Sequence, residues 1–181
     1  DEQFTVVLGA VSGTGATEAA AITTGATGTG TINNDDSSSL SIDNVTLAEG
    51  AGGATTAFTF TVTSSTAVQG GFDLAFAVND GTATDSDDFD VTTASPISFG
   101  GTAGETQTIT VTVNDDGKIE ADEQFTVVLG AVSGTGATEA GVIATGVTGT
   151  GTITNDDAAV LTLTAVSADK AEGTGGATTG F

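Results

Sequence analysis

The side chains of this chain that could do chemistry are carboxylates. The densest group is NDDGKIEADE at 114–123, which carries Asp115, Asp116, Glu120 and Glu123 around Lys118. NDD at 155–157 adds Asp156 and Asp157, and Glu49 and Asp80 each stand just before a glycine. Acidic residues number 24 against two basic ones, Lys118 and Lys170, for a net charge of −22. His, Cys and Tyr are absent, which removes the common general bases and nucleophiles. Paired carboxylates alone could still hydrolyse a glycoside, but without Trp or Tyr the chain lacks the usual sugar platform, and no enzyme is expected.

Massed carboxylates repel one another unless something neutralises them. A hard cation is the physical resolution. Calcium accepts about six to eight oxygens at about 2.3–2.6 Å, whereas magnesium keeps more of its water. Zinc would lack its His and Cys ligands. An EF-hand does not fit: with Gly117 at its sixth position, its first would be Thr112, inside an alternating strand pattern with no flanking helices. The DSDDFD run at 85–90 reads as loop chemistry with Asx-turns rather than as a ligand set, Asp87 or Asp88 being the nearest to an exception. With two cations in all, the chain has no means of neutralising phosphates, so nucleic acid and anionic membrane surfaces are excluded as partners.

The elements that must position these acids have a period of two. Phe58, Phe60 and Val62 alternate with Thr, as do Ile109, Val111 and Val113; Phe72, Leu74, Phe76 and Val78 alternate with Asp and Ala, and Phe125, Val127 and Leu129 with Thr and Val. That pattern marks half-buried strands at 56–64, 71–79, 105–114 and 123–132, with shorter ones at 40–47, 89–92, 97–100 and 149–154. Helix-period segments are lacking. The expected fold is all-β, an antiparallel, Greek-key-like, immunoglobulin-like β-sandwich. Counting strand reversals brings Glu49, Asp80, Asp115, Asp116, Asp156 and Asp157 to one pole, leaving only Glu139 and Glu105 toward the other.

The sequence also repeats itself. Residues 1–36 recur at 122–157 with five differences, none acidic, and EGAGGATTAF at 49–58 is echoed by EGTGGATTGF at 172–181. The spacing of 121 residues is that of a domain, not of a solenoid unit. The chain is therefore expected to contain the end of one repeat (1–36), one complete repeat (37–157) and the start of a third (158–181).

NDGTATDSDDFD (79–90), GETQTITVTVNDDGKIEADEQFTVVL (104–129) and GTGTITNDD (149–157) together resemble a Calx-β domain. The resemblance spans the whole repeat. It implies a seven-stranded sandwich that, in the sodium–calcium exchangers, binds several calcium ions at one pole. Carried over by motif, the implied ligands are Glu49, Asp80, Asp115, Asp116, the carbonyl of Lys118, Glu120, Glu123, Asp156 and Asp157. Asn114 and Asn155 stand where exchanger domains can carry a further Asp, which implies fewer ions or weaker binding. The family also includes very large bacterial surface proteins, and this acidic, Cys-free, Gly- and Thr-rich composition is similar to theirs. The expected role is thus a calcium-binding repeat of a long extracellular stalk or adhesin, stiffened by calcium against neighbouring repeats. The alternatives are a subunit of a self-assembling filament that pairs with other copies, and an adhesin domain with a ligand of its own.

Overall fold

A computed structural model of the chain describes residues 1–13, 15–135 and 137–164. A hairpin comes first: β1 (Glu2–Val7), a single helical turn α1 (Ala16–Ala21) and β2 (Thr27–Ile32). A sandwich follows, built from β3 (Ser38–Ile42), β4 (Val45–Ala48), β5 (Thr55–Ser64), β6 (Phe72–Asp80), β7 (Phe89–Val91), β8 (Ile97–Phe99), β9 (Thr106–Asn114), β10 (Glu123–Ser133), α2 (Ala137–Gly141), β11 (Ile143–Ala144) and β12 (Thr148–Thr154). Its two five-stranded sheets have the orders β4-β12-β10-β6-β8 and β11-β3-β5-β9-β7. The alternating apolar residues face inward between them, which removes their surface from water. Phe125 sits at the centre, with ring centroids 4.7 Å from Phe89, 5.8 Å from Phe58 and 5.9 Å from Phe60, all four side chains fully buried.

The long strands fall where alternation places them, but the segment 40–47 is two strands, not one. Its apolar residues are Leu40, Ile42, Val45 and Leu47, so the spacing slips from two to three at Asp43–Asn44. There the chain crosses from one sheet to the other. Asp43 Oδ1 accepts the Thr61 N–H of β5 at 2.7 Å, and Asn44 Oδ1 accepts the Thr150 N–H of β12, in the other sheet, at 2.8 Å. Each polar side chain thus stands in for a ladder bond that the crossover interrupts. The split also corrects the purely antiparallel expectation: β4 runs parallel to β12, and β11 parallel to β3. The short helices α1 and α2 are a second correction, since no helix was expected. They occupy equivalent places in the two copies of the repeated segment.

The two copies form the same hairpin. Glu2 pairs with Ile32 and Val7 with Thr27, as Glu123 pairs with Ile153 and Val128 with Thr148. The register is pinned by a ring lying over a glycine: a Cβ on Gly30 would collide with Phe4, and one on Gly151 with Phe125. The copies differ in surroundings. β10 is covered and pairs with β6, whereas every residue of β1 is exposed. Of the expected start of a third repeat at 158–181, residues 158–164 carry no regular secondary structure, and 165–181, with Lys170 and the second echo, lie outside the described residues.

Candidate metal centre

Four segments meet at one end of the sandwich. β4 delivers Glu49, because Ala48 pairs with Thr154 and the Glu49 N–H donates to the Thr154 carbonyl at 3.3 Å. The same register sets Glu49 beside the chain that leaves β12 at Asn155, Asp156 and Asp157. Glu123 opens β10, and the β9–β10 loop brings Asp115, Asp116 and Glu120. It is tied to the end of β12 through Asn155, whose Oδ1 accepts the Glu120 N–H at 3.2 Å and whose N–H donates to Asp122 Oδ1 at 3.3 Å. The β6–β7 loop brings Asp88, immediately before the buried Phe89, which pairs with Val113.

The DGTA segment explains how that last loop is held. A Cβ on Gly81 would collide with the Gln124 carbonyl, so only glycine permits the approach. Thr82 Oγ1 accepts the Gln124 N–H at 2.8 Å, and the buried Ala83 donates its N–H to the Gln124 carbonyl at 3.0 Å. Asp80 belongs to this scaffold: its Oδ1 accepts the Asp85 N–H at 3.0 Å.

Three groups of carboxylates converge, each with oxygens within 4.8 Å of one another: Glu49, Asp115 and Asp157; Glu49, Asp116 and Glu120; and Asp88, Glu120 and Glu123. Two oxygens on opposite sides of one calcium at about 2.4 Å are about 4.8 Å apart, so these spacings suit a single ion. Glu49 and Glu120 each belong to two groups, which makes the whole a continuous row. A cavity of about 10 Å³ lies among Glu49, Asp88, Asp116, Glu120 and Glu123, room for about one water-sized sphere.

Glu49 is only 6% exposed, and its Oε1 is buried without a hydrogen-bond partner; Asp157 Oδ2 is in the same condition. An ionised carboxylate can only accept, so these oxygens lack a cation or a donor. Burial raises Glu49 above the ordinary carboxylate range, and the charges of Asp157 and Asp115 push it the same way. Burial likewise raises Glu123, with Asp88 and Glu120 adding to it, and desolvation with Asp115 raises Asp157. Lys118 is the only basic side chain among the described residues, and it is already paired with Asp116, whose carboxyl it holds low. The donor set is all oxygen, crowded, partly buried and short of positive charge, which fits a hard cation such as calcium.

Of the residues named from sequence, Glu49, Asp115, Asp116, Glu120, Glu123 and Asp157 fall within the three groups. Asp80 and Asp156 do not, although the charge of Asp156 contributes to raising Glu49. Lys118 lies in the β9–β10 loop, its N–H donating to Asp116 Oδ1 at 2.9 Å. Asp88 is the addition. The acidic run reads from sequence as loop chemistry with Asp87 or Asp88 nearest to an exception, and Asp88 does both, its Oδ2 also accepting the Thr84 N–H at 2.7 Å. Its place one residue before an inward Phe was the available signal.

The Calx-beta domain family matches this chain over residues 31–158. Among solved structures, CBD12 from CALX1.2 is similar at 23% identity with a TM-score of 0.51, covering 66% of this chain and 44% of that one. The apo-form Calx CBD1 domain is similar at 22% identity and a TM-score of 0.47, covering 67% of this chain and 100% of that one. The calcium binding domain CBD12 of CALX1.1 is similar at 20% identity and a TM-score of 0.46, covering 65% of this chain and 46% of that one. No curated protein sequence matches.

Proposed function

This chain belongs to the Calx-beta domain family, and from that premise we propose that it is a calcium-binding structural unit of a long extracellular stalk or adhesin. The observation that carries the proposal is the Glu49 carboxylate, buried with an unpartnered oxygen inside a row of acids. The row offers the all-oxygen, carboxylate-rich donor set that calcium takes. Glu49, Asp115, Asp116, Glu120 and Asp157 would hold the ion or ions, with Asp88 and Glu123 extending the row. The cation supplies positive charge, offsetting the repulsion and the burial of the carboxylates.

What the protein contributes is connection. Glu49 ends β4, Asp115 to Glu120 lie between β9 and β10, and Asp157 lies on the chain leaving β12. Drawing these together closes one end of the sandwich and fixes the direction of the departing chain. The link from β2 to β3 spans residues 33–37 and contains neither Gly nor Pro, so it is a short connection rather than a flexible linker. Repeats joined this way would form an extended, stiff array in calcium and a looser one without it. The composition, with a net charge of −22 and no Cys, suits an extracellular protein of this kind.

Thermal unfolding of the chain in millimolar calcium and in chelator tests the proposal. A ligand that binds only the folded state at a hundredfold excess over Kd adds about 2.7 kcal/mol. An unchanged midpoint would remove the metal from the proposal. Small-angle scattering under the same two conditions reads the stiffening, and identical dimensions would remove that part alone.

A further inference from the structure

The chain contains two Asp–Gly bonds, Asp80–Gly81 and Asp116–Gly117. At such a bond the backbone nitrogen of the glycine can attack the aspartate carboxyl, because no side chain shields it. The two bonds are chemically alike, and the fold treats them differently.

Asp80 closes β6 and pairs with Phe125. The Gly81 N–H donates to the Ala83 carbonyl at 3.1 Å, and a Cβ on Gly81 would collide with the Gln124 carbonyl. The Asp80 carboxylate is turned to the Asp85 N–H at 3.0 Å. Closing a ring between side chain and glycine nitrogen requires the peptide between them to rotate, and here the backbone is held on both sides. Asp116 and Gly117 are exposed, in the stretch 115–122 that carries no regular secondary structure. Asp116 Oδ1 accepts the Lys118 N–H at 2.9 Å. A carboxylate that reaches the N–H two residues on is folded across the nitrogen between them, in this case that of Gly117. The Gly117 N–H donates to Asp115 Oδ1 at 3.1 Å, an acceptor placed to take its proton. The Lys118 ammonium is paired with Asp116 Oδ2, the oxygen that has to leave.

We propose that Asp116–Gly117 is a self-modification site, at which the chain converts Asp116 to isoaspartate through a cyclic imide. The Gly117 nitrogen bonds to Asp116 Cγ, and its proton passes to Asp115 Oδ1. Asp116 Oδ2 leaves as water with that proton and one from Lys118, which takes another from solvent. Water then opens the ring at the Asp116 main-chain carbonyl, and the borrowed proton returns to solvent. The backbone now runs through Cγ, and a carboxylate stands on Cα. Nothing is oxidised or reduced, and the composition is restored. The backbone is one carbon longer and the carboxylate's stem one carbon shorter, which draws the group away from Glu49 and Glu120. A cation on Asp115 and Asp116 would occupy both reacting carboxylates, so the reaction belongs to the metal-free chain.

The full chain is incubated at neutral pH in heavy-oxygen water, with chelator so that the outcome does not depend on calcium binding. Peptide mass spectrometry follows the label and isoaspartate at both Asp–Gly bonds. Both signals are expected at Asp116 well ahead of Asp80. In denaturant, where the fold is lost, the two bonds should react alike. Asp115→Asn and Lys118→Gln should each slow the reaction at Asp116 by about tenfold, short of the roughly hundredfold of an enclosed acid or base because the loop is open to water. The proposal is overturned if Asp116 takes up no label or if Asp80 keeps pace with it in the folded chain. A preference for Asp116 that persists in denaturant, or a wild-type rate in either variant, overturns it equally.

Discussion

Glu49 is the residue on which the acidic end turns. It is carried inward by a strand register and shared by two of the three carboxylate groups. Glu49→Gln removes the charge while keeping the shape. In chelator its unfolding midpoint should rise by roughly 2–5 °C, because a buried like charge has gone. The rise on adding calcium, about 10 °C for wild type at a hundredfold excess, should fall below half. Asp88→Asn keeps an acceptor for Thr84 and should reduce the number of calcium ions counted by titration calorimetry. An unchanged count would leave Asp88 a loop residue only. The pH dependence follows from the same carboxyls. Glu49, Glu123 and Asp157 are raised in the fold, so their stabilising contribution is full below the ordinary carboxylate range and is lost as pH rises through their raised values. Asp116 and Glu105 are lowered, Glu105 chiefly by the Gly100 N–H, and their contribution is lost only when acid protonates them. In chelator the midpoint should therefore climb from pH 7 toward about 5 before falling. In calcium the climb should disappear, because protons and metal compete for the same oxygens.

At the scale of elements, the four long strands were legible because each buries one face and alternates without interruption. The acids at their ends followed from counting reversals. The crossover at Asp43–Asn44 was written in the sequence as a slip in spacing between Ile42 and Val45, a cue easily absorbed into one longer strand. Asn44→Ala leaves the Thr150 N–H without its partner and should cost about 0.5–1.5 kcal/mol in chemical denaturation. A loss near zero would mean that water replaces the side chain. Helices α1 and α2 were not legible, being single turns of about six residues or fewer with no side-chain cap seen on α1. The inward acid of the DSDD run was hidden for another reason. Its place before Phe89 is a weak signal by itself, and the pairing of Phe89 with Val113, a contact distant in sequence, is what turns this carboxylate of the run toward Glu120 and Glu123.

At the scale of the whole molecule, the sandwich ends its sheets in strands of two to four residues: β11, β7, β8 and β4. Short edges offer little ladder for indiscriminate pairing. Composition has a consequence of its own for durability. A protease that cuts after Lys or Arg finds two targets in 181 residues, Lys118 and Lys170. Among the described residues only Lys118 remains, and the bond it offers is followed by an exposed Ile119. That bond lies in the β9–β10 loop, whose carboxylates belong to the row at the acidic end. Trypsin digestion should therefore cut after Lys118 faster in chelator than in calcium, by about tenfold if the cation holds the loop closed by about 1.4 kcal/mol. Equal rates would show that the loop opens regardless of the metal. If the proposed ion is held there, the bond after Lys118 becomes a reporter of its presence, opening to the protease when the ion leaves.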